Sequence, residues 1–136
     1  MDDQQTEIRM MYKNLTTDLR NKYSPHYNLY QKQTLDEKIN CFKQNSQQPD
    51  LYYKCFAAID ERMQSNSVQL QQSFNKIEIE DQGCQQKCKD SYQQDNLKQN
   101  MCLKKCMEDL REKAFKLQDT FYQAILKNNA EFKKIK

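Results

Sequence analysis

Cys84 and Cys88 stand four positions apart, as do Cys102 and Cys106, and the thirteen residues from Lys89 to Met101 separate the two pairs. No other feature constrains the fold of this chain so tightly. A four-residue step on an α-helix puts both sulfurs on one face, one turn apart. If two such helices fold back on each other antiparallel, Cys84 faces Cys106 and Cys88 faces Cys102. The twin C-x3-C array therefore reads as a helical hairpin closed by two disulfide rungs.

The rest of the composition agrees with helices and says that the rungs matter. In 136 residues, 37% are hydrophobic and 30% charged, and the mean hydropathy is -1.14, so one domain with a thin core is expected and apolar burial needs help. One glycine and two prolines leave little turn chemistry for a β-protein, while Gln, Lys, Glu, Leu and Met are all tolerated in helices. The expected class is all-α. The many Gln and Asn residues read as solvated helix faces, with low complexity as the other reading.

The net charge of +3 is small and mixed in sign, and no basic stripe is interleaved with aromatics, so no nucleic-acid partner is expected. No run of about eighteen apolar residues is present to span a membrane. The acidic start, Met1-Asp2-Asp3-Gln4-Gln5, argues against a secretory signal or an arginine-rich presequence; entry into an oxidising compartment would need no cleaved leader.

Apolar residues mark out the helices. Ile8, Met11, Tyr12, Leu15 and Leu19 recur at three- and four-residue steps, giving an amphipathic N-terminal helix over residues 1–23. Ser24-Pro25 either starts a second helix or kinks a continuous one. Tyr27, Tyr30, Leu35, Ile39 and Phe42 line the next face until Asn45-Ser46-Gln47-Gln48-Pro49-Asp50, where a reversal is expected. A third helix carries Tyr52, Phe56, Ile59, Met63, Leu70, Phe74 and Ile77, with Gly83 as a place for a bend. A second reversal falls within Ser91 to Gln99. The last helix, from about Asn100, presents Leu103, Met107, Leu110, Ala114, Leu117, Phe121 and Ile125 in alternating threes and fours.

The pattern is faintly duplicated. Cys41 and Cys55 are also separated by thirteen residues, and a shift of 47 superposes them on Cys88 and Cys102, with Gln47 falling on Gln94. The positions matching the outer rung, Glu37 and Ile59, are not cysteines. The architecture expected is thus one all-α domain of two successive antiparallel helical hairpins with disulfide staples, over residues 24–81 and 70–136. Six cysteines allow fifteen pairings, and the antiparallel register favours Cys41 with Cys55, Cys84 with Cys106 and Cys88 with Cys102. Each thirteen-residue closure is worth about 3 kcal/mol on the chain-entropy model.

Other chemistry is sparse. Four thiolates would also suit zinc, although structural zinc pairs favour C-x2-C knuckles near glycine. A redox catalyst would need a low-pKa thiolate, commonly in C-x-x-C, and the chain has none. His26 is the sole histidine and reads as a solvated turn residue. Asn14-Leu15-Thr16 matches the glycosylation sequon but falls inside a helix. Lys127, Lys133, Lys134 and Lys136 suit anionic lipid, an acidic partner or simply the helix dipole. Tyr52, Tyr53 and Phe56 with Met63 read as a clamp for a client chain or as packing across the hairpin. No enzymatic activity and no cofactor are expected. The long seam of Leu103, Met107, Leu110, Leu117, Phe121 and Ile125 is the candidate partner-binding face, because two short hairpins would not cover it alone.

The cysteine pattern resembles the twin C-x3-C proteins of the mitochondrial intermembrane space, which include the small Tim chaperones. It is more similar to the small eukaryotic family called family with sequence similarity 136, whose members have two cysteine hairpins in succession. The matching residues are Cys41, Cys55, Cys84, Cys88, Cys102 and Cys106, with the long link from Cys55 to Cys84. The chain departs from that family at Glu37 and Ile59, and its Lys89 to Met101 turn is shorter. The resemblance implies a CHCH/small-Tim-like helical protein, oxidised by the disulfide-relay oxidoreductase during import and trapped in the intermembrane space by folding. It implies no catalytic residues. The role expected is a structural or accessory subunit, or assembly factor, of an inner-membrane respiratory or translocase assembly. The alternative is a small-Tim-like chaperone of hydrophobic precursors, since Leu51 to Lys136 alone matches one hairpin with flanking helices.

Overall fold

The computed structural model describes the backbone of residues 3–135 and the side chains of residues 6–135. The acidic opening at Met1 and Asp2 and the last lysine of the tail, Lys136, lie outside the described residues. Those residues form four helices and no strand: α1 (Asp3–Gln44), α2 (Pro49–Ser91), α3 (Asn96–Leu126) and α4 (Ala130–Ile135). The protein is all-α, with its helices linked by three disulfides.

Both reversals are short and chemically specified. At the first, the Asn45 side chain donates to the Cys41 carbonyl at 3.1 Å and the Gln48 amide to the Asn45 carbonyl at 2.9 Å; Pro49 then opens α2, where its missing N–H costs nothing. At the second, Asp95 caps α3 by accepting from the Lys98 amide at 3.1 Å. The cap explains why α3 begins at Asn96, a turn earlier than apolar periodicity alone indicates. Among the described residues no helix is long and apolar enough to cross a membrane.

Of the two readings of Ser24-Pro25, the continuous helix is the one adopted: Pro25 lies inside α1. The carbonyl it leaves without a donor belongs to exposed Asn21, which water can satisfy. Of the N-terminal helix expected over residues 1–23, the described part from Asp3 onwards therefore belongs to α1 and is not a separate helix.

The chain groups into two compact units, each discontinuous in sequence. The first takes the stretch up to Tyr23 with Gln72–Thr120. Its interior holds Leu15, Tyr23, Cys88, Cys106, Met107 and Ala114. Ion pairs ring it: Glu7 with Lys104 at 3.0 Å, Asp18 with Arg111 at 2.8 Å and Glu80 with Lys113 at 2.9 Å. Exposed pairs of this kind orient helices more than they stabilise them. The buried Tyr23 hydroxyl donates to the Phe115 carbonyl at 2.9 Å and also meets the Asp119 carboxylate.

The second unit takes Ser24–Gln71 with the stretch from Phe121 onwards. Leu29, Tyr30, Cys41, Ile59, Tyr122, Leu126 and Phe132 are its buried apolar residues. Helix α4 exists because Asn129 interrupts the helical run and caps the next one, accepting from the Glu131 amide at 2.9 Å. That places Phe132 in the interior against His26, ring centroids 5.7 Å apart, with Tyr122 at 5.4 Å from the same imidazole. The expectation of a solvated turn histidine is corrected here: His26 lies mid-helix and is buried among aromatic rings.

Candidate functional site

The cysteines sit where helix periodicity and turn length place them. Cys41 near the end of α1 is bonded to Cys55 near the start of α2, with Cα atoms 5.8 Å apart. On α2 and α3, Cys84 is bonded to Cys106 and Cys88 to Cys102, with Cα separations of 5.9 and 5.6 Å. All three lie within the span that a disulfide bridges without backbone movement. The two rungs are stacked, the Cys88 and Cys106 sulfurs lying 3.6 Å apart. With no S–H on either atom, this is a van der Waals contact between neighbouring rungs.

Where the first hairpin lacks its second rung, noncovalent contacts occupy the register. Glu37 forms an ion pair with Arg62, Lys38 pairs with Asp60 at 2.6 Å, and Ile59 is buried. The pairs follow from the same antiparallel register that would have met cysteine with cysteine.

The Cys84, Cys88 and Cys106 sulfurs all lie within 4.8 Å of one another, a spacing that three metal ligands would adopt. In the disulfide-bonded state each carries two covalent neighbours and no thiolate charge, so the group is a poor donor set for zinc. In this state the sulfurs act as scaffold.

The candidate partner face on α3 is largely occupied by the chain's own packing. Met107 is 1% exposed, and Leu103, Leu110, Leu117, Phe121 and Ile125 are all partly buried. In the first unit the N-terminal part of α1 joins the stapled pair, so α3 has two neighbouring helices where a bare hairpin would offer one.

Exposed apolar side chains occur at both hairpin ends, Leu97 and Met101 among them at the second, but the aromatic ones cluster around the first staple. Leu35, Ile39 and Phe42 form an exposed line on α1 at helical spacing, and Leu51 and Tyr53 are exposed on α2, Phe42 at 51% and Tyr53 at 62%. The Phe42 ring lies 5.4 Å from Tyr52, which is 4.7 Å from Tyr53 and 5.6 Å from Phe56. Residues 39–57 hold only Lys43, Asp50 and Lys54 as charged groups in a chain that is 30% charged. The equivalent end of the second hairpin carries Tyr92 alone among aromatics. Of the four clamp residues read from the sequence, Tyr52, Phe56 and Met63 are partly buried, whereas Tyr53 projects. Phe42, from the other helix, completes the cluster; its sequence signal is its place beside Cys41.

A polar network in the first unit had no sequence signal. Tyr12 donates to Asp81 Oδ2 at 3.0 Å while accepting from Gln85 Nε2 at 2.7 Å, and Gln85 also donates to Asp81 Oδ2 at 2.7 Å. Asp81 and Gln85 are one turn apart on α2, but Tyr12 comes from 69 residues away. Burial, then the Asp81 charge, push the Tyr12 phenol well above its usual range. Lys127, Lys133 and Lys134 are exposed, and Lys32 pairs with Glu131 at 3.1 Å beside them.

No protein-family model, curated protein or solved structure matches the chain. Its function is therefore inferred from its own residues.

Proposed function

We propose that this chain is a non-enzymatic, disulfide-stapled helical protein of the mitochondrial intermembrane space. In this reading it is a structural or accessory subunit, or an assembly factor, of an inner-membrane complex, and resembles family with sequence similarity 136. One observation carries the binding role: the charge-poor aromatic surface at the first hairpin end, fixed by the Cys41–Cys55 bond. Interface cores are depleted in charge and enriched in aromatic rings, and rings already held in place lose less freedom on binding. A single staple at the one hairpin end that bears such a cluster, and a double staple at the end that lacks it, suit a docking end and a scaffold end. The pairing of all six cysteines in disulfides suits an oxidising compartment, of which the intermembrane space is one.

Affinity purification from mitochondria, with native electrophoresis after mild detergent extraction, tests this role. Stoichiometric co-migration with one large complex is expected, together with its loss in a Phe42→Ser/Tyr53→Ser variant that still folds. A small free hexamer carrying varied hydrophobic clients would point to the chaperone reading. Fractionation outside mitochondria would overturn both.

A further inference from the structure

The unit formed by the stretch up to Tyr23 and Gln72–Thr120 contains a pocket of about 360 Å³. That volume is within the range of small-ligand sites, roughly 300–1,000 Å³. Its wall is divided by chemistry. Leu15, Leu19, Phe74, Ile77, Leu110 and Ala114 supply an apolar floor, and Glu78 and Asp81 supply two carboxylates. No Lys, Arg or His lines it. The larger cavity of about 550 Å³ beside the α3–α4 break differs, its wall mixing Lys32 and Lys127 with Asp36, Glu37 and Glu131.

Asp81 is held by neutral donors. Tyr12 and Gln85 both engage Oδ2, and Oδ1 receives only the longer 3.3 Å approach of the same Tyr12 hydroxyl, leaving acceptor capacity on that oxygen. Neutral donors fix the carboxylate's orientation without cancelling its charge. Lys113, whose ammonium feels the Asp81 charge, is engaged with Glu80 at 2.9 Å and does not line the pocket. A ligand entering here thus meets negative charge at the rim and apolar surface beneath it.

We propose that this pocket binds a small amphiphilic organic cation, its ammonium head on Asp81 Oδ1 and its apolar body on the Leu15–Ile77–Leu110 floor. The charge-assisted hydrogen bond selects the cation, and removal of the tail from water supplies the rest of the affinity. Glu78 adds attraction at the rim. The site is independent of the docking role, since none of its residues belongs to the aromatic surface.

The test is a methyl-detected NMR titration of the oxidised full chain with octylammonium, octanoate, octanol and methylammonium. Octylammonium is expected to shift the methyl signals of Leu15, Ile77 and Leu110, with octanoate and methylammonium binding far more weakly. Asp81→Asn should weaken octylammonium about tenfold, the worth of one hydrogen bond to a charged group, and leave octanol unchanged. Gln82→Lys keeps the fold safe, because Gln82 is an exposed rim residue; its ammonium should pair with Glu78 one turn away, offset the negative charge of the rim and weaken the added cation. Octanoate binding as tightly as octylammonium would overturn the proposal, as would unchanged affinity in both variants. So would shifts confined to the Phe42–Tyr53 surface.

Discussion

Cys88 and Cys106 place their sulfurs 3.6 Å apart although each is bonded to a different partner, Cys102 and Cys84. That distance puts a thiol, once freed, beside a disulfide that it can attack. In a Cys102→Ala variant, the Cys88 thiolate should displace Cys84 from Cys106, forming a Cys88–Cys106 bond and leaving Cys84 as the free thiol. Non-reducing peptide mapping after alkylation should find the label transferred to Cys84. Label on Cys88 alone, after hours at pH 8, would show that the stack is too rigid to exchange.

The staples should differ in worth. Cys41–Cys55 alone closes its loop, so Cys41→Ala/Cys55→Ala should cost about 3 kcal/mol on the chain-entropy model. The Cys84–Cys106 rung encloses Cys88–Cys102, so with the inner bond intact it closes only the short remainder of its loop. Cys84→Ala/Cys106→Ala should therefore cost less, in urea unfolding of the oxidised proteins. An equal or larger loss would locate the effect in native packing of the sulfurs.

Met107→Ala should be among the most damaging single changes in the first unit. The side chain is fully buried on the helix that carries Cys106, and truncation of such a residue costs about 2–5 kcal/mol. Leu97→Ala, at a residue 59% exposed on the same helix, should change stability by less than about 0.5 kcal/mol. Similar midpoints for the two variants would mean that α3 contributes little to cooperative unfolding.

Tyr12 links stability to alkaline pH. Burial and the Asp81 charge raise its pKa in the folded state above the ordinary tyrosine value, so its protonated form is favoured by folding. This contribution is complete below about pH 10, the unfolded value, and is lost progressively as pH rises toward the folded value. Tyr12→Phe should flatten the decline of stability above that pH relative to the parent chain. Parallel curves from urea titrations at pH 8 to 11 would exclude Tyr12 as the group responsible.

The Phe42–Tyr53 surface should separate stability from binding. Phe42→Ser and Tyr53→Ser remove half-exposed rings, so thermal midpoints should move little while co-purification of the partner falls. A large loss of stability in either would make the ring cluster part of the fold and leave the docking surface unassigned.

Local chemistry in the sequence determined the helical class, both reversals and the cysteine register, but left open whether α1 runs on through Pro25. Cys41, Cys55 and the twin C-x3-C pairs fall into the rungs that antiparallel packing requires, because helical period and turn length are short-range properties. The start of α4 is local as well, since the Asn128-Asn129 pair is a stop and restart signal, but apolar periodicity through Ile125 does not register it. Tertiary structure alone decided which apolar face is covered. Periodicity shows that Leu103 and Met107 share a stripe, but not that a segment of α1 joins the same unit to cover it. The same long-range packing buried His26 between Tyr122 and Phe132, joined Tyr12 to Asp81, and left Phe42 and Tyr53 facing solvent. A helix specifies its own faces; only the helices that come to lie beside it determine which of them meet water.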